Sequence, residues 1–553
     1  MRSLRRMSLV ALPVALSFTL GTALAEGETF ETSPGLYAAA ELGLGGRPLQ
    51  EQLFRKGWPT TREFRRIAQD AEAAFGDSIG AILGSGMGVP LEASRFERER
   101  LDDMKNRPRP PATTDAMLAL RWQAFAQVSG LASAPAGFKP IFIPYRHGDR
   151  GQLGQDTRIG LDGIGFAIYA NTLFAEQQLA IVRTSGSSSL AGRTELDGFL
   201  GLVALECATA AMHELGQQLC LTFHGAGGKP ELGAPPRGYH EIVQKHELDR
   251  EYYYPRGFTA RVTSGSVAYA LGAAEEDAGS SLHDQAAILL GLCELAKASV
   301  PAKTGSGWFF GPDGKGAAFP DSTSTEAAEL AAFVAESVGQ LHWNPLDGKV
   351  GGLASFANNG AWGDTQRPED AGLLLLALEQ FLSLQDPRVA SLPAVQKHMS
   401  VALDNTTAFL LSVQKTSSQG FCDSYNLSER GPAETRRSLG TQGIVVRGLL
   451  ASVRASKLPA YAGKKHPEAR EAAALVVRWL DETRWDQGRH SYTVEGAPAN
   501  SVTTRDAAAV LGGLRDIAFE TGDCRYLLRY KAYLTTLRAR GPFLTETTPA
   551  SPR

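Results

Sequence analysis

The chain has 553 residues, 43% hydrophobic and 21% charged, with a formal net charge of −3. That is the composition of ordinary globular protein, long enough for two or more domains. A charge so near neutrality gives no global pull toward nucleic acid or anionic lipid, and beyond the first residues no apolar run reaches the length of a membrane span.

The first segment stands apart. Arg2, Arg5 and Arg6 precede an apolar run over 9–20, and Ala23-Leu24-Ala25 offers a small-x-small cleavage site before Glu26. This is the pattern of a secretory signal peptide over 1–25, so export to the periplasm or the exterior is expected. An uncleaved anchor and a twin-arginine signal are the alternatives, the second weakened by Ser8, which stands where that signal prefers an apolar residue.

Residues 26–280 read as a mixed α+β domain. Helical periodicity is predicted over 60–82, 91–104 and 194–215, with a Pro-rich break over 108–111. Strand-like runs fall at 139–145, 165–169, 179–183, 219–223 and 258–269. Two polar clusters close such runs. Phe223-His224-Gly225-Ala226-Gly227-Gly228 resembles the oxyanion loop of α/β-hydrolases, but no GxSxG elbow follows it. Tyr145-Arg146-His147-Gly148-Asp149-Arg150 reads as a salt-linked turn able to handle protons or a phosphate. The glycines over 160–165 have the wrong spacing for a dinucleotide fingerprint, and the histidines show no metal motif. The five cysteines, Cys207, Cys220, Cys293, Cys422 and Cys524, show no zinc-like or haem-attachment spacing. No metal or other cofactor is therefore expected. Cys207 and Cys220 could form a disulfide in an oxidising compartment, with burial as small hydrophobes the alternative.

From 281 to 540 no convincing strand of ordinary length is present, and the periodic segments are helices: 281–298, 324–341, 368–385, 393–414, 438–455, 467–484, 503–520 and 523–538, before a tail over 541–553. The first helix of each successive pair carries one pattern. A polar starter (Asp284, Asp370, Thr441, Asp506) is followed two residues on by a small one (Ala286, Gly372, Gly443, Ala508), five on by an apolar one, and seven and eight on by small-Leu. Repetition of this kind marks an array of helical hairpins, and the small positions suit close packing between neighbouring helices. The connections before the second, third and fourth pattern helices, near 347–364, 419–425 and 486–492, are long and rich in glycine, aromatic and polar residues. Each feeds an equivalent helix N-terminus, so all emerge at one end of the array, and loops of such length are usually functional.

Helix alternation, small-residue faces and loops gathered at one end are similar to the α/α-toroid class, the six-hairpin glycosidase-like barrels. The resemblance covers about 281–540 and departs from the class in showing four hairpins. It implies an all-α, toroid-like domain following the α+β domain, with the substrate cleft at the loop end. Sugar chemistry commonly uses two carboxyl groups, one as acid and one as base or nucleophile, beside flat aromatic surfaces. Asp364, Asp370 and Asp423 are the catalytic candidates, with Asp284, Trp343, Trp362, Tyr425, Tyr492, Arg505 and Asp506 as substrate-binding candidates. The same aspartates can instead cap helices, the aromatics can anchor loops, and Arg505 can pair with a carboxylate. The expected function is an exported glycoside hydrolase or polysaccharide lyase acting on a poly- or oligosaccharide. The alternative is a non-catalytic envelope protein binding a glycan or protein through the same loops.

Overall fold

The four pattern-bearing segments fold into helices α2 (Leu282–Ala298), α4 (Pro368–Leu382), α6 (Leu439–Ala455) and α8 (Thr504–Thr521). Each is followed by its hairpin partner: α3 (Asp321–Leu341), α5 (Pro393–Thr416), α7 (Glu468–Thr483) and α9 (Cys524–Ala539). A further helix, α1 (Leu161–Thr184), precedes them. This is a computed structural model in which the described residues are 67, 71, 157–184, 204–205, 207–223, 230–235, 252–263, 266–271, 278–298, 321–344, 352–353, 363–416, 420–494 and 502–539.

The helices form two layers. In the inner layer α1 packs on α2, α2 on α4, α4 on α6 and α6 on α8; in the outer layer α3 packs on α5 and α5 on α7, while every outer helix also packs on its own inner one. Inner and outer helices thus alternate as in an α/α toroid. The inner helices are buried along nearly their whole length, and one hydrophobic cluster runs from Ile67 to Leu534. By contrast α7 buries a single stripe, Ala469, Ala472, Ala473, Val476, Val477 and Leu480, as a helix with one wet face should.

The repeated small residues set the register between inner helices. A methyl group on Gly372 would lie 2.8 Å from the Ile444 carbonyl oxygen, and one on Gly443 would lie 2.2 Å from the Ala509 carbonyl carbon. The small residue five positions later answers from the next helix. A methyl on Gly448 would meet the Gly372 oxygen at 2.6 Å, and one on Gly513 the Gly443 oxygen at 3.3 Å. Backbone therefore approaches backbone at each crossing, and side chains there would wedge the helices apart.

Helix α1 obeys the same rule. Gly165 would clash with Ala287 at 2.4 Å, and Gly291 with the Gly165 oxygen at 2.4 Å. Reading Gly163 as its starter, the pattern continues through Gly165, Ile168 and Ala170. The helical array thus includes a helix on the N-terminal side of residue 280. This corrects the strands predicted over 165–169 and 179–183, which are parts of α1. Residues 161–176 are all buried, and a helix buried on every side shows no amphipathic period to separate it from a buried strand.

The described strands are short. Before α2, β1 (Thr157–Gly160), β5 (Gly257–Thr263) and β6 (Ser266–Leu271) form one antiparallel sheet; β2 (Cys220–Phe223), β3 (Pro230–Gly233) and β4 (Tyr252–Tyr253) form another. The predicted strand regions 219–223 and 258–269 fall here. The 139–145 strand, the 91–104 helix, the His224 loop and the Tyr145–Arg150 cluster lie outside the described residues. The five cysteines carry no disulfide; Cys207 and Cys220 are both buried thiols. Among the described residues no helix is long and apolar enough to cross a membrane.

Each connection from an outer helix to the next inner one holds a two-residue antiparallel ladder: β7 (Trp343–Asn344) with β8 (Gly352–Leu353), β10 (Tyr425–Asn426) with β11 (Gly431–Pro432), and β12 (Trp485–Asp486) with β13 (Ser491–Tyr492). A further strand, β9 (Thr365–Gln366), pairs with β10 and so ties one connection to the next. These hairpins lead into the N-termini of the inner helices, where the polar residues gather.

Candidate functional site

The pattern starters are the third residues of their helices, and the helices are capped by other groups. Ser438 accepts from the Thr441 N–H and Thr503 from the Asp506 N–H, while the Ser281 hydroxyl stands 3.4 Å from the Asp284 nitrogen. At α4 the cap position is Arg367, which makes no side-chain cap bond. The starters' carboxyl groups are thereby left to reach across to neighbouring helices.

The second and third residues of the inner helices supply most of the resulting cluster: Asp162 from α1, His283 and Asp284 from α2, Glu369 and Asp370 from α4, and Arg505 and Asp506 from α8. In α6 the second residue is Gly440, whose N–H donates to Asp506 Oδ1 at 2.7 Å; a methyl there would sit 2.5 Å from that oxygen. All these residues lie at the positive ends of helix dipoles, which stabilise carboxylates.

Ion pairs cross the array. Arg505 of α8 reaches Glu369 of α4 at 2.5 Å and lies 3.5 Å from His283 Nε2 of α2. Glu369 also receives Arg367 at 2.8 Å. His283 Nδ1 is 3.2 Å from Asp370 Oδ1, and the ring stands edge-on to Phe166 with centroids 5.9 Å apart. A guanidinium can only donate, so the geometry fits the tautomer in which Nδ1–H donates to Asp370 and the Nε2 lone pair faces Arg505.

The carboxyl groups of this cluster differ in proton affinity. Burial, reinforced by the charges of Asp162 and Asp370, raises Asp284 well above the usual carboxylate range, with Arg256 only partly opposing. Burial alone would also raise Asp370, but the hydrogen bond from His283 and the charges of Arg367 and Arg505 outweigh it, and Asp370 is lowered. Asp506 is raised, chiefly by burial, despite the Gly440 and Thr503 bonds.

The sequence candidates are distributed as follows. Asp370, Asp284, Asp506 and Arg505 belong to the cluster. Asp423 sits at its margin: Oδ1 accepts from Ser438 N, Ser438 Oγ and Thr441 Oγ1 at 2.8, 2.9 and 2.9 Å, while Oδ2 is 3.4 Å from Arg436. Asp364 is exposed and holds neighbouring connections together, accepting from Ser428 N and Oγ at 3.1 and 2.7 Å. The three aspartates read as catalytic thus have separate sets of partners. Tyr425 is buried, edge-on to Phe409. Tyr492 is fully buried; its hydroxyl donates to Asp481 at 2.7 Å and its ring packs on Trp485 and Tyr533. Trp343 lies in β7, its side chain outside those described, and Trp362 lies outside the described residues.

Asp162, His283, Arg367 and Glu369 were not singled out from the sequence. A signal for Asp162, His283 and Glu369 was present, though none for Arg367: the residue before each pattern starter reads Asp162, His283, Glu369, Gly440, Arg505 once α1 is included. Among the described residues no group of three His, Cys, Asp or Glu side chains could hold a metal ion.

No family model and no curated protein matches this chain by sequence. Solved structures similar to it include a D-mannose isomerase (TM-score 0.41, 11% identity, 69% of this chain and 75% of that one). A sugar epimerase from a ruminal bacterium gives a TM-score of 0.39 at 12% identity, covering 80% of this chain and 87% of that one. Cellobiose 2-epimerase from Spirochaeta thermophila gives 0.38 at 14% identity, covering 78% and 87%. Each of the three is a sugar-converting enzyme by name.

Proposed function

We propose that the N-terminal mouth of the inner helices is the acid–base site of a carbohydrate-active enzyme. One observation carries this reading: within a single buried cluster Asp284 is pushed up and Asp370 is pulled down. Divergent proton affinities between neighbouring carboxyl groups allow one to donate a proton and the other to accept one at the same pH. Asp284 keeps its proton and hands it to a departing oxygen. Asp370, with His283 hydrogen-bonded to it, is the anionic partner. Asp370 retains the catalytic role expected from sequence, Asp284 and His283 join it, and Asp364 and Asp423 hold the loops.

For the substrate class we carry over the expectation attached to alternating inner and outer helices with their loops at one end, namely cleavage of a glycosidic linkage by hydrolysis or elimination. Export is part of the proposal, resting on the Arg2–Ala25 leader pattern, and N-terminal sequencing of the protein recovered outside the cytoplasm tests it.

A screen of oligosaccharides and polysaccharides with the full chain, Asp284→Asn and Asp370→Asn tests the chemistry. Each substitution is expected to lower turnover by about 10²- to 10⁴-fold. The wild-type profile is expected to fall on the acid side as Asp370 gains its proton and on the alkaline side as Asp284 loses its own. Glycan binding that both variants retain, with no turnover in the wild type, would favour a binding protein instead.

A further inference from the structure

The charges at the mouth are sorted by depth. Glu369, Asp370 and Asp423 have side chains 6%, 10% and 16% exposed, whereas Arg367 and Arg436 are 49% and 74% exposed. Arg505 lies between them at 29%, and Arg256, which acts on Asp284, is exposed. Within the cluster the guanidinium groups thus stand outward of Glu369, Asp370 and Asp423, with the exposed carboxyl of Asp364 on the adjoining connection. This order runs against the helix dipoles, which disfavour cations at N-termini. It also takes the cap position of α4: where α6 and α8 use Ser438 and Thr503, Arg367 makes no cap bond. Charge balance within the cluster explains a guanidinium contacting Glu369 and Asp370, but not one left half-exposed at a position where serine or threonine would cap the helix.

Resting on the carbohydrate reading above, we infer that the sugar bound at this mouth is anionic and carries its charge as a carboxylate, as in a uronic acid. Arg367 contacts Glu369 through one terminal nitrogen at 2.8 Å and Asp370 through the other at 3.8 Å. Its exposed face can offer further N–H groups to a ligand carboxylate, whose planar geometry matches the guanidinium fork better than an ammonium would. Arg436 adds a second exposed charge from the connection before α6. A neutral sugar can accept hydrogen bonds from these donors but brings no negative charge to meet theirs.

The test is a calorimetric titration of the full chain with oligogalacturonate and oligoglucuronate, with neutral cello- and manno-oligosaccharides, and with glucose 6-phosphate, at low and high salt. Arg367→Gln and Arg367→Lys are measured beside the wild type, with a thermal melt to confirm folding. A uronate is expected to bind more tightly than any neutral oligomer, to weaken with salt, and to lose roughly tenfold or more on Arg367→Gln, with partial recovery in Arg367→Lys. Equal binding of neutral oligomers, unaffected by Arg367→Gln, overturns the inference and leaves the carbohydrate reading intact. Binding of glucose 6-phosphate without uronates overturns the carboxylate assignment. Binding of no sugar overturns both. If Arg367→Gln fails to fold, the wild-type preference for uronate over neutral oligomers and its salt dependence decide the matter alone.

Discussion

The two ends of the inner helices handle charge in opposite ways. Toward the C-terminal end, Asp516 accepts from Arg515 at 2.7 and 2.8 Å and lies 3.2 Å from Arg447, with Arg454 at 3.9 Å. Arg454 in turn grips Glu379 through two bonds of 2.6 and 2.7 Å. Side-chain exposure of Arg447, Arg515 and Asp516 is 5%, 3% and 9%. Although burial opposes it, the three guanidiniums hold the Asp516 carboxyl far below its usual range. At the mouth, by contrast, cations stand outward, and Asp284 and Asp506 are raised. Charges that stabilise a fold are buried with their partners, whereas a site that must exchange protons or ions with a ligand keeps groups of divergent proton affinity within its reach.

Breaking the closed end should have the largest effect. Asp516→Ala removes the carboxylate set between the two buried guanidiniums of Arg447 and Arg515 and is expected to destabilise by about 3–5 kcal/mol, measured by urea unfolding. The sign with pH follows from the lowered carboxyl. Its stabilisation is complete above the unfolded pKa near 4 and is lost as pH falls toward the folded value. Wild type should therefore lose stability below about pH 4 more steeply than Asp516→Ala. Parallel acid unfolding of the two chains would refute that account.

A smaller perturbation separates the ends from the packing between them. Gly443 lies in the second turn of α6, toward the mouth, and its added methyl would meet the Ala509 backbone at 2.2 Å. Gly443→Ala should force α6 and α8 apart and destabilise by about 1–3 kcal/mol, partly offset by the roughly 1 kcal/mol that alanine gains over glycine in a helix. Because Gly440 and Asp506 bridge the same two helices, turnover should fall more than stability does. A variant with wild-type kinetics and a wild-type melting temperature would show that the close approach is not needed.

Legibility in the sequence followed the physics of each feature. The four hairpins were readable because an inner helix must present small residues at fixed intervals, and Gly372, Gly443, Gly448 and Gly513 do so in register. Helix α1 was hidden because its starter is Gly163 and its eighth position Asn171, and because burial on every side erased its period. In the site, Asp370, Asp284 and Arg505 could be placed at one end from topology. The pairing of Arg505 with Glu369, 136 positions apart in the numbering, and of His283 with Asp370, 87 positions apart, depends on which helices become neighbours and how far they rotate. Tyr492 resembles a sugar platform in sequence because it stands in a Gly-aromatic loop; its burial and its hydroxyl bond to Asp481, on α7, depend on packing between distant segments.

The smallest expected effect sharpens the comparison most. Arg367→Ser would place a capping hydroxyl at α4, as α6 and α8 already have, and a cap contributes about 1 kcal/mol. The substitution also removes the contacts of a half-exposed guanidinium with Glu369 and Asp370, but Glu369 keeps Arg505 and Asp370 keeps His283, so little stability is lost with it. Its melting temperature should therefore equal or exceed that of wild type while turnover and uronate binding fall. Such a gain in stability with loss of function would mark Arg367 as held at the mouth for its ligand, because a residue kept for the fold alone would lower both together. A clear drop in melting temperature would instead join the mouth to the closed end as one more structural charge network.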